Sequence, residues 1–145
     1  MSVKQAGLAA VVQLKKTIVA ITSTTSEAAI TGAGLKNLKA GMGILIVNAL
    51  DIASGDEVYT AVIEGSNDGG STWTARGAFP VLRAVDTAVV GTYVCNVDRI
   101  APQMRLTMTM AGTTPSMIYL CVLVAMDVSP VYQPHGGTAG NIILA

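Results

Sequence analysis

Glu64-Gly65-Ser66-Asn67-Asp68-Gly69-Gly70-Ser71-Thr72-Trp73 is a polar turn between two strand-like runs, 58–64 and 72–76. Asn and Asp bring short polar side chains that bond nearby backbone, and the paired glycines tolerate the positive φ of a tight reversal, so the stretch closes a hairpin. Tyr59, Ala61 and Ile63 share one face of the incoming strand, and Trp73 and Ala75 are expected to meet them from the outgoing one. The hairpin therefore has a core side.

Outward from this turn the chain reads as β throughout. In 103–110 the alternation is clean, with Met104, Leu106, Met108 and Met110 on one face and Arg105, Thr107 and Thr109 on the other. The run 42–48 is apolar on both faces, which predicts a strand covered on both sides. The run 117–125 is apolar throughout, as in a central strand or one whose outer face meets another subunit. Further strands are expected over 17–22 and 89–97, and Pro80 puts the piece 78–82 at an edge or bends it away. Residues 22–34 form a Ser/Thr/Ala/Gly loop, and 4–16, with Leu8, Val11 and Val12 at helical spacing, a short helix or an extended arm.

About eight short strands separated by turns predict an all-β fold, a two-sheet antiparallel β-sandwich. A jelly roll is preferred to an immunoglobulin-like sandwich because Trp73 precedes both cysteines. The expected organisation is an N-terminal segment over 1–16, a sandwich over 17–128 and an extended C-terminal arm over 129–145. In that arm Pro130 and Pro134 interrupt pairing, glycines loosen the backbone, and Ile142, Ile143 and Leu144 form an apolar plug for a partner to capture.

Composition limits the partners. Only 12% of residues are charged, against about 25% in an ordinary soluble domain. Nine basic and nine acidic residues cancel, so nothing marks a nucleic acid or an acidic membrane as the target. With little charge to keep copies apart, much of the surface is expected to be covered by further copies or a larger assembly. The charge-free run 106–126 is long enough to cross a bilayer, but 111–116 breaks it with a turn, so two strands are the better reading. Gln13, Lys15 and Lys16 interrupt the one candidate leader segment, so the mature chain is expected to begin near Met1. Cys95 and Cys121 read as buried thiols, or as a disulfide if their strands are neighbours.

Catalytic constellations are not legible. His135 is the sole histidine, in a Pro-His-Gly-Gly setting that reads as solvated. Glu64 and Asp68 flank the turn and resemble a carboxylate pair only in spacing, and with Asn67 they offer too few oxygens for calcium. Lys15, Lys16, Lys36 and Lys39 and the arginines are scattered, reading as a solvated face or subunit borders. The methionines read as core filler. No cofactor and no metal site is expected.

The turn itself resembles a known motif. Ser66, Asp68, Gly70, Thr72 and Trp73 fit the Asp-box pattern Ser-x-Asp-x-Gly-x-Thr-Trp, found in sialidases and in several non-catalytic β proteins. The resemblance implies a structural role, with the aspartate tying the turn and the tryptophan packed beneath it. One copy in 145 residues does not make a propeller. More widely, this hairpin, Gly91-Thr92-Tyr93, the arginine-bearing strand 104–108 and the Gly112-Thr113-Thr114-Pro115-Ser116 turn are similar to jelly-roll capsid decoration, or cement, proteins of tailed bacteriophages. That similarity implies a non-enzymatic virion protein on the capsid exterior, made in the host cytoplasm, which oligomerises and bridges major capsid protein subunits. A trimer is the first expectation and a dimer the second. The alternative is a carbohydrate-binding or host-adsorption module of a tail or fibre.

Overall fold

The computed structural model describes residues 9–15, 17–31 and 39–126. The expected C-terminal arm, with Ile142, Ile143 and Leu144, lies outside the described residues, as does His135. The strands are β1 (Ala9–Lys15), β2 (Thr25–Ser26), β3 (Ile30–Thr31), β4 (Ala40–Leu50), β5 (Val58–Ser66), β6 (Thr74–Ala78), β7 (Leu82–Arg83), β8 (Gly91–Val97), β9 (Gln103–Ala111) and β10 (Met117–Met126). They build two antiparallel sheets. A front sheet runs β1-β10-β4-β8, and a back sheet runs β2-β9-β5-β6, with β3 also paired to β9 and β7 to β5.

Period-two burial drives the layering. Met104, Leu106, Met108 and Met110 of β9 and Tyr59, Ala61 and Ile63 of β5 point inward from the back sheet. Leu45 and Val47 of β4, Cys95 and Val97 of β8, and Met117, Tyr119, Cys121, Leu123 and Ala125 of β10 answer from the front, all within one contiguous core. Neither layer can be removed from water without the other, which is the condition for a sandwich. The run 106–126 is divided between β9 and β10, in opposite sheets, by the turn after Ala111. Among the described residues no helix is long and apolar enough to cross a membrane.

The expectations for 9–15 and 17–22 are corrected, while those for Pro80 and for buried free thiols at Cys95 and Cys121 hold. Residues 9–15 are not a helix. They are extended, as one of the two expectations had it, but belong to the front sheet, pairing with β10 as an edge strand with a bulge between Gln13 and Lys15 that brings Leu14 and Lys15 into buried positions. The segment 17–22 is not a strand, since only Ile21 pairs, in an isolated bridge to Met117. The outgoing hairpin strand stops at Ala78 and resumes as β7, because Pro80 cannot donate a ladder bond and Phe79 turns into the core. Cys95 and Cys121 are not neighbours, for β4 lies between their strands, and both are free buried thiols. Burial pushes the Cys121 thiol up to about 12 and raises that of Cys95.

One glycine sets how closely the layers approach. A Cβ at Gly43 would stand 2.5 Å from Ile63 Cδ1 and 2.9 Å from Phe79 Cζ, so its bare backbone lets Ile63 of β5 and Phe79, between β6 and β7, reach the front sheet. Gly43→Val is expected to destabilise the fold by about 1–3 kcal/mol through overpacking. The urea midpoint measures this, and an unchanged midpoint would show that the layers are not in contact there.

Candidate functional site

The turn after β5 is held by its own side chains. Ser66, 1% exposed, donates from Oγ to Asp68 Oδ1 at 2.7 Å and accepts from the Gly70 N–H at 2.9 Å. Asp68 Oδ1 also accepts from the Thr72 N–H at 2.8 Å, which closes the loop. Gly69 and Gly70 take φ values of 74° and 93°, where a side chain would be strained. Thr72 contributes its backbone N–H here, and its residue is exposed. The Thr72 N–H first, then the Ser66 hydroxyl, hold the Asp68 carboxyl down at about 2.

Trp73 is half-buried, and it lies where the hairpin reading did not put it. Pairing runs Ile63 to Gly77 but Glu64 to Ala75, so Arg76 is an extra residue. Such a bulge reverses which face the following side chains occupy. Ala75 therefore sits opposite Glu64, away from Tyr59, Ala61 and Ile63. The Trp73 ring receives the Arg105 guanidinium, with Cζ 4.1 Å from its centroid. A Cβ on Gly70 would lie 3.6 Å from the ring, so the turn packs on the tryptophan.

Glu64, considered above as half of a carboxylate pair, is committed elsewhere. Its Oε1 accepts from Arg105 Nε at 2.8 Å and from Thr107 Oγ1 at 2.9 Å, and Thr107 Oγ1 is 3.0 Å from Ser26 Oγ. The outer face of the back sheet is thus a polar ladder. A cleft of about 240 Å³ opens beside the turn, lined by Gly65, Asn67, Asp68, Thr72, Thr74 and Arg76. Among the described residues no group of three or more His, Cys, Asp or Glu could hold a metal ion.

A buried charge cluster was invisible in the sequence. Lys15, 5% exposed, meets Glu27 Oε2 at 3.4 Å, and the Tyr119 hydroxyl donates to the same oxygen at 2.7 Å. Lys15 is therefore not part of a solvated face. Burial first, and the Glu27 carboxylate second, raise the Tyr119 hydroxyl above its ordinary value. Lysine and glutamate sit far apart in type and position from any recognisable motif. Only pairing with β10 carries Lys15 inside.

The front sheet's outer face departs from the reading of 42–48 as a strand covered on both sides. Among the described residues, strands β4 and β10 are covered on one face only. Opposite the core they present Met42, Ile44 and Ile46, and Ile118, Leu120, Val122 and Val124. Register aligns these with Val11 and Gln13 of β1 and with Thr92, Val94 and Asn96 of β8. Val11 is 67% exposed and Val94 54%. None of these side chains is charged, whereas the back sheet shows Glu64, Arg105 and its threonines.

Set against protein-family models, curated proteins and solved structures, the chain matches none.

Two measurements check this geometry. Asp68 has a depressed carboxyl, so its contribution to stability is present above pH about 4 and is lost as pH falls through about 2. Asp68→Asn should lower the melting temperature at pH 7 and shrink its fall between pH 4 and pH 2; parallel melting curves for the two proteins would remove Asp68 from the turn. Glu27→Ala strands Lys15 and should cost about 3 kcal/mol in denaturant unfolding, while a loss below about 0.5 kcal/mol, the range of surface substitutions, would place the pair in solvent.

Proposed function

We propose that the protein is a non-enzymatic structural component of a virion, a capsid decoration or cement protein that binds its own copies and bridges major capsid protein subunits on the capsid exterior. The observation that carries this reading is the uncharged aliphatic outer face of the front sheet. A patch of that kind is costly in water and marks a surface for protein contact. Each part of it removed from water contributes about 25 cal/mol per Å² toward holding an assembly together.

The strand order supports a jelly roll. With β2 and β3 counted as one interrupted strand, and β6 and β7 as another, the pairs are first with eighth, second with seventh, third with sixth and fourth with fifth. That is a long hairpin rolled on itself, the arrangement that yields two Greek keys. Synthesis in the host cytoplasm, a reducing compartment, agrees with the unpaired Cys95 and Cys121.

The carbohydrate-binding or host-adsorption alternative draws on the cleft beside the Asp-box turn. Sugar sites use exposed aromatic faces, and here Tyr59, Phe79 and Tyr119 are buried while Arg105 occupies a face of Trp73. The alternative is therefore the weaker reading.

Gold-tagged antibody raised against the purified chain, applied to intact particles from the host that makes it, should decorate shells. Label confined to tails or fibres would favour adsorption, and unlabelled particles would overturn the proposal.

A further inference from the structure

We infer that the outer face of the front sheet packs against the same face of a second copy, about a two-fold axis. The inference deepens the proposed function, since it names the contact through which copies meet.

Three features of the face select this occupant. Its described side chains carry no charge, so apposing the face to itself brings none of them against a like charge. Its two edge strands carry the uncharged polar side chains Gln13, Asn96 and Thr92 beside Val11 and Val94. Amides and hydroxyls both donate and accept, so they pair with their own kind across a two-fold, whereas a surface made for a charged partner would carry one sign. An aliphatic centre edged by valines and uncharged polar side chains has the anatomy of an interface.

Size agrees. Four strands about 4.8 Å apart and about seven residues long span roughly 19 Å by 23 Å. Two such corrugated faces remove on the order of 1,000 Å² of accessible surface, the lower bound for a specific interface. Sheet on sheet at about 10 Å is also the packing that already forms the core. A threefold ring requires two different patches on each copy, because its contacts are heterologous. One flat face meeting itself closes as a dimer.

Val122 lies in the middle of the face, registered with Gln13 on one side and Ile44 on the other, and its side chain points away from the core. Sedimentation velocity of the full chain at about 20 μM should give twice the 14.8 kDa chain mass. Val122→Lys and Val122→Glu, each alone, should be monomeric with unchanged circular dichroism, their dimer dissociation constant raised about 100-fold or more. Mixed in equal amounts, the two variants should recover the dimer, because opposite charges then meet across the axis. Thr107→Lys, on the outer face of the back sheet, should leave the mass unchanged.

A monomeric or trimeric wild-type chain would overturn the inference, as would an undiminished dimer in both Val122 variants. The measurement needs no shell. A dimeric chain that fails to label particles overturns the proposed function alone, and a monomer that labels them overturns the inference alone, leaving the face to the shell.

Discussion

Everything else in the molecule depends on burying the inward row of β9 against the inward row of β10. Met104, Leu106, Met108 and Met110 come from the centre of the back sheet, and Tyr119, Cys121, Leu123 and Ala125 from the centre of the front. The two strands are consecutive, yet they do not pair with each other. The turn between them crosses from one layer to the other, and it is tied down by polar groups of the β4–β5 loop. Thr113 donates to both Asp56 oxygens, and the Ser116 N–H donates to the Tyr59 hydroxyl, which itself donates to the Asp51 carbonyl. Those bonds satisfy backbone groups that the crossing would otherwise leave without partners. With both central strands fixed in opposite layers, β1 and β4 add beside β10, and β5 with the β2–β3 segment adds beside β9.

That arrangement divides the surface unevenly. The back sheet's outer face is stitched by hydrogen bonds and an ion pair, from Ser26 through Thr107 and Glu64 to Arg105. Surface ion pairs of this kind contribute little to stability, but they make the face comfortable in water. Among the described residues the front sheet's outer face has no comparable groups. The proposed dimer and the proposed role on a capsid both follow from that contrast, and both treat the aliphatic face as working surface.

The turn over Ser66–Trp73 serves the scaffold. Its hydrogen bonds close on themselves, and Trp73 is sandwiched into the rim of the back sheet by Arg105 and the glycine turn. Lys15 and Glu27 do a similar job at the other border of the fold, anchoring the segment that links β1 to the back sheet. A buried pair of this sort is costly to break from one side, and it specifies how that segment docks more than it adds net stability.

The sequence by itself determined the fold class, the alternating face of β9, the hairpin turn at Ser66–Trp73 and the division of the 106–126 run. These are local properties: period-two polarity, turn chemistry and the intolerance of proline and glycine in regular pairing leave a mark on a few adjacent residues. Tertiary structure alone decided which side of the sheet Trp73 and Ala75 occupy, because one inserted residue, Arg76, reverses the face without any sign in composition. It alone decided that 9–15 is an edge strand, since weakly patterned small residues take the conformation of the partner offered by β10. It alone showed that the doubly apolar runs 42–48 and 117–125 each turn one row of side chains away from the core. In 42–48 both faces read alike, and only the number of layers, two rather than three, leaves Met42, Ile44 and Ile46 facing outward.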